Sequence, residues 1–180
     1  YHPGLKDMFK GDGTSMLCQP AVIANALIQD YIENPKAKTL SLKGLSQDGT
    51  QIDANILIRQ LFTCMKGNRD LGTNTTGVAN CTVNLLRSAG LDYEVRIVTN
   101  WPKENFASLD ESVVLESRVP TGQDVKSYLR KGYHISGLIK FYRMGKDGNW
   151  FYTEGHATSI TGYSRQKNWP DDLLNVYMAD

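Results

Sequence analysis

Late in the chain, the hydrophobic pattern changes period, and no other feature limits its fold as strongly. Up to about residue 131 the apolar side chains recur at helical spacing. Val22, Ile23, Ala26, Leu27 and Tyr31 mark a first helix after Cys18, ended by Asn34-Pro35. Ile52, Ile56, Leu57 and Phe62 mark a second over about 52–64. Val78, Cys81, Leu85 and Leu86 mark a third over about 77–89, with Thr75 or Thr76 as its N-cap and Gly90 as its left-handed terminator. A fourth is expected over 121–131, stopped at Gly132. Between them, 36–48 reads as loop with room for a brief strand at 39–42. Residues 93–99 alternate like a strand, and 101–120 is irregular with a short strand near 112–115. Beyond residue 132 the pattern is strand-like: 134–143 and 150–154 joined by a hairpin connection, then 157–163 and 174–178. Helices first and antiparallel strands later predict an α+β domain, and 180 residues are enough for one domain over 1–180 with its own core.

Bulk properties remove several functional classes. The net charge of +1, with no basic run interleaved with aromatics, argues against nucleic acid as a partner. No apolar stretch approaches the roughly 18 residues of a membrane span, so none is expected. The three cysteines are too few for a disulfide scaffold and match no zinc spacing, and only His2, His134 and His156 are available as further ligands. No metal and no cofactor is therefore expected, and the chain is expected to be a monomer. The odd cysteine count leaves two readings of Cys64 and Cys81: a bridge with Cys18 left free, or two buried thiols on packed helices. A bridge would imply an oxidising compartment. The chain starts at Tyr1 without Met, the expectation for a processed or shortened chain whose targeting signal lies outside it.

The residues that carry chemistry sit at the two ends. Gly13-Thr14-Ser15-Met16-Leu17-Cys18-Gln19-Pro20 delivers a cysteine to the start of the first helix. There the unpaired N–H groups and the positive end of the dipole favour an anion. Pro20 suits the first turn, which has no use for its missing N–H. At the other end, Gly155-His156-Ala157 is expected to open a strand, with Gly162-Tyr163 behind it. Its separation from Cys18 falls inside the roughly 130–150 residues of papain-like Cys and His pairs. If 157–163 pairs antiparallel with 175–180, Asp180 falls beside His156, where a carboxylate orients an imidazole, and Asn175 falls at the far end. His134 lacks a placed carboxylate and reads as structural, and His2 lies in a terminus.

These motifs, in this order, resemble papain-like cysteine peptidases. The resemblance is closer to the bacterial stand-alone relatives of bacteriocin-leader (double-glycine) processing peptidases. Gly72-Thr73-Asn74-Thr75-Thr76-Gly77-Val78 and Val125-Lys126-Ser127-Tyr128-Leu129 with Gly132 are similar to further segments of that branch. The resemblance implies a papain-like α+β fold, with N-terminal helices packed on a C-terminal antiparallel sheet, Cys18 as nucleophile, His156 as base and Asp180 as orienting residue. It implies a peptide or protein substrate, and a secreted or exported bacterial protein. The family's oxyanion donor, a glutamine six residues before the cysteine, is replaced here by Asp12. An ionised carboxylate has no proton to donate to an oxyanion. Either Asp12 is protonated, or the backbone N–H of Cys18 works with another donor such as Thr14, Ser15 or Gln19. The loops 66–75 and 101–120 are expected to carry substrate preference. A binding module that holds a peptide without cutting it, and a deamidase or transglutaminase-type enzyme on the same triad, are the alternatives to hydrolysis.

Overall fold

The computed structural model describes residues 17–39, 42–46, 51–68, 72–165 and 175–179. The chain divides into two compact units, Tyr1–Thr121 and Gly122–Asp180. Each unit has its own organisation.

In the first unit, α1 (Cys18–Glu33), α2 (Ala54–Cys64) and α3 (Thr75–Ser88) share one core. Ala24, Leu27 and Ile28 of α1 meet Leu57, Ile58 and Leu61 of α2, and Val78, Cys81 and Leu86 of α3. This is the apolar stripe that helical spacing demands. Tyr31, almost wholly buried, keeps its polar end satisfied by donating its hydroxyl to the Ser46 carbonyl. Cys64, the last residue of α2, is bridged to Cys81 of α3, so of the two sequence readings the disulfide holds. Among the described residues Cys18 is the free cysteine.

Helix starts differ from the sequence expectation for a local reason. Asp53, in extended backbone, caps α2 by accepting the Ile56 N–H at 3.0 Å. Ile52 therefore lies outside the helix and bridges Leu45. Asn74 caps α3, its Oδ1 accepting the Gly77 N–H at 2.7 Å, so Thr75 and Thr76 are the first helical residues and neither is the cap. An amide oxygen at the cap satisfies a first-turn N–H that has no intrahelical partner. Thr39, expected in a brief strand, belongs to the 3-10 turn Pro35–Thr39. At its other end α3 stops as expected, with Gly90 left-handed at φ +67°.

The opposite side of α3 serves a second core. Ala79 and Val83 pack with Ile97, Phe106 and Val113. Here β1 (Arg96–Thr99) and β2 (Val114–Ser117) pair in parallel, with Arg96 opposite Val114 and Thr99 opposite Ser117. The second strand begins two residues later than its expected start. The crossover between them carries a 3-10 turn, Lys103–Phe106, and is tied to α3 by side chains. Asn80 Nδ2 donates to the Ser108 carbonyl and its Oδ1 accepts the Asp110 N–H, each at 2.8 Å. Arg87 pairs with Asp110 at 3.0 Å. That guanidinium, with donors from Ser112, holds the Asp110 carboxyl far below the usual carboxylate range.

The second unit opens with α4 (Gly122–Arg130), closed by the left-handed Gly132 at φ +81°. β3 (Ile135–Met144), β4 (Trp150–Ser164) and β5 (Asn175–Ala179) then form an antiparallel sheet in that order. The 145–149 connection is the expected hairpin turn: the Gly145 N–H donates to the Asn149 carbonyl at 2.8 Å, and Gly148 is left-handed. Arg130 Nε donates to the Tyr163 hydroxyl at 3.1 Å, linking α4 to β4. The hairpin's outer part is aromatic and exposed, with Tyr142 and Tyr152 meeting edge to face across the strands.

One expectation about β4 is corrected. Residues 150–154 and 157–163 are a single strand, so His156 lies inside it and does not open it. The strand runs through Gly155 without a break, and a Cβ there would lie 3.0 Å from the Tyr152 hydroxyl. The irregularity falls instead between Phe141 and Tyr142 in the β3–β4 register. The mixed α+β class, with helices first, an antiparallel sheet last and Cys18 at a helix start, agrees with the sequence pattern. Among the described residues no helix is long and apolar enough to cross a membrane.

Candidate functional site

Cys18 is the first residue of α1, and its side chain is partly exposed. Leu17 occupies the N-cap position with an aliphatic side chain, which has no oxygen to accept the first-turn N–H groups, and the first turn contains no acidic residue. The start of α1 therefore carries the positive end of the helix dipole with neither a capping oxygen from Leu17 nor a first-turn carboxylate beside it. Pro20 sits buried in the same turn, at a position that requires no donor.

Gln19 has a role that sequence reasoning missed. Its side chain is buried, and its Oε1 accepts the Thr73 hydroxyl at 2.8 Å. A buried carboxamide needs such a partner. The bond docks the segment before α3 onto the turn that carries Cys18, across 54 residues of sequence. Both residues lie in stretches already singled out, but pairing them requires knowing that α1 and α3 share a core.

His156 lies in β4, opposite Ile139 of β3, and is half-buried. Ala157 and Thr158, its successors, are buried. The expected pairing of 157–163 with the last strand is present: Ser159 faces Ala179, Ile160 faces Met178, and Ser164 faces Asn175, with a register shift between Ile160 and Gly162. Asn175 is thus at the end of the ladder away from His156, as expected. Asp180, Asp12, Thr14 and Ser15 lie outside the described residues. His134 immediately precedes β3. Among the described residues no group of three or more His, Cys, Asp or Glu is placed to hold a metal.

No family model, no curated protein and no solved structure matches this chain.

Proposed function

We propose that the chain is a thiol-dependent hydrolase of amide bonds in peptides or proteins, acting through Cys18, His156 and Asp180. The observation that carries the reading is the station of Cys18. It is a partly exposed free thiol at the start of a sixteen-residue helix with no acid in its first turn, while the other two cysteines are bridged. Support for the base comes from a half-buried histidine held in a continuous strand.

In this reaction His156 takes the Cys18 thiol proton as the sulfur attacks the carbonyl carbon, and the tetrahedral oxyanion is met by the Cys18 backbone N–H. The C–N bond breaks as His156 delivers its proton to the leaving amine. Water, deprotonated by His156, then attacks the thioester; the C–S bond breaks, the acid is released, and His156 returns the proton to the Cys18 sulfur. Asp180 fixes the imidazole tautomer. The Cys64–Cys81 bridge supports an oxidising compartment, in keeping with a secreted or exported protein.

The test is alkylation by iodoacetamide across about pH 4 to 9, read by mass on Cys18. Ready alkylation near pH ~5 that disappears in His156→Ala is the expected result. Alkylation appearing only above about pH 8, unchanged in His156→Ala, would sink the nucleophile assignment. That outcome would favour the second reading, a peptide-binding module, for which Asp12 at the oxyanion-donor position is the specific support. If the thiol is activated, acid release without transfer to an added amine separates hydrolysis from transglutaminase-type chemistry, and ammonia release from a glutamine peptide detects deamidation.

A further inference from the structure

The first unit holds a cleft of about 300 Å³ at the start of α3. Residues 74–76 form one side, and Trp101, Asn105, Phe106 and Ser108 the other. All but Thr76 fall in the two stretches expected to carry substrate preference, 66–75 and 101–120, and the fold brings them to one place. The volume is at the small end of ligand sites, enough for a single ring-sized group.

The lining is chemically narrow. Among the described residues, none of its side chains is ionisable and none neutralises a phosphate, a carboxylate or an ammonium group. What it offers is an aromatic plate and a ring of neutral donors and acceptors. Trp101 stacks on Phe106, with centroids 6.4 Å apart and planes inclined by 23°. Phe106 belongs to the second core, so the indole is backed by packed side chains while remaining 37% exposed. Among the described residues, the side chains of Thr75, Thr76, Asn105 and Ser108 make no hydrogen bond, whereas the Asn74 amide oxygen is used in capping.

The frame around these groups is fixed before any ligand arrives. Asn80 ties the Ser108 carbonyl and the Asp110 N–H to α3, and the Trp101 backbone N–H donates to Thr99 Oγ1 at 3.1 Å. Preorganisation of this kind lowers the ordering cost of binding.

A pyranose ring matches this arrangement. Its C–H faces are apolar and stack on an indole, while its edges carry hydroxyl groups that both donate and accept. We propose that this cleft binds a neutral pyranose unit of a glycan, stacked on Trp101 and held at its hydroxyl edges by Asn105, Thr75, Thr76 and Ser108. Thr73, the neighbour of the cleft residue Asn74, donates to Gln19 beside Cys18, so the segment that enters the cleft is also tied to the Cys18 turn.

The experiment uses the full chain carrying Trp150→Phe and Trp169→Phe, which leaves Trp101 as the sole tryptophan. It is titrated with chitotriose, maltotriose and cellotriose, and with the uncharged peptide Gly-Ser-Gly, blocked at both ends, as the competing ligand class. The expected result is a saturable change in Trp101 emission with at least one trisaccharide and none with the peptide. Affinity falls by about tenfold in Asn105→Ala and in Thr76→Val, each removing one hydrogen-bonding group while leaving the indole in place. Trp101→Ala, followed by calorimetry and checked by circular dichroism, abolishes binding. Emission unmoved by all three sugars, binding indifferent to Asn105→Ala and Thr76→Val, or a response to the peptide alone would each overturn the proposal. Sugar binding is read by fluorescence and Cys18 reactivity by mass, so this inference and the hydrolase reading stand or fall separately.

Discussion

At the scale of single residues, the pair Gln19 and Thr73 shows how a local motif acquires a long-range partner. Gln19 reads in sequence as a polar first-turn residue beside the cysteine. In the fold it is buried, and its oxygen is satisfied by a hydroxyl from the segment before α3. Thr73→Val keeps the shape of that side chain and removes the donor. The buried carboxamide oxygen is then left unpaired, which costs about 1–3 kcal/mol. Denaturant unfolding of Thr73→Val is expected to show a loss of that size with an unchanged slope, and an unaltered midpoint would mean the bond carries no load. His156 illustrates the same limit. Its residue type and spacing were legible, but its place inside a strand was not, because Gly155 resembles a strand break in sequence. In the fold the strand runs straight through Gly155, with the Tyr152 hydroxyl close to it.

At the scale of elements, helix existence was legible and helix starts were less so. Asn74-Thr75-Thr76-Gly77 contains several residues able to cap, and the choice of Asn74 depends on which of them adopts extended backbone (φ −98°, ψ 157°). Replacing the cap, Asn74→Ala, is expected to cost about 1 kcal/mol, while Thr75→Ala and Thr76→Ala at the first helical positions cost less. Chemical denaturation of the three variants tests that order. The tie between α3 and the crossover yields a pH dependence. Arg87 and the Ser112 donors depress the Asp110 carboxyl, so the unfolded chain takes up that proton first as pH falls. The stabilisation is therefore fully present above the ordinary aspartate value of roughly 4 and declines as pH drops below it towards the folded-state value. The difference in melting temperature between wild type and Asp110→Asn is expected to be constant from pH 7 to about 5 and to shrink steadily below about 4. A gap that widens on acidification would contradict the assignment. This crossover was legible only as irregular chain, since its order comes from Asn80 and Arg87 on a helix that is distant in sequence.

At the scale of the whole molecule, the disulfide joins the energetics to the compartment. It closes a sequence separation of 17 residues between α2 and α3. In the chain-entropy account a loop of that length is worth about 3 kcal/mol. The double variant Cys64→Ser/Cys81→Ser is expected to lose stability on that scale, and the wild-type chain to lose it on reduction. A reduced wild type with the stability of the oxidised form would remove the bridge from the argument.

The change from helical to strand period fixed the α+β class without reference to any contact, because side-chain period follows from backbone geometry alone. The same kind of local rule placed Cys18 at a helix start, Gly90 and Gly132 at helix ends, and the hairpin turn at 145–149. What the fold alone decided depends on separations that period does not encode. It joined Cys64 to Cys81 out of two open readings, docked Thr73 on Gln19, and split α3 between two cores. It also drew residues of two distant loops around Trp101, because a segment's partners are chosen by packing against the rest of the chain and not by its own pattern.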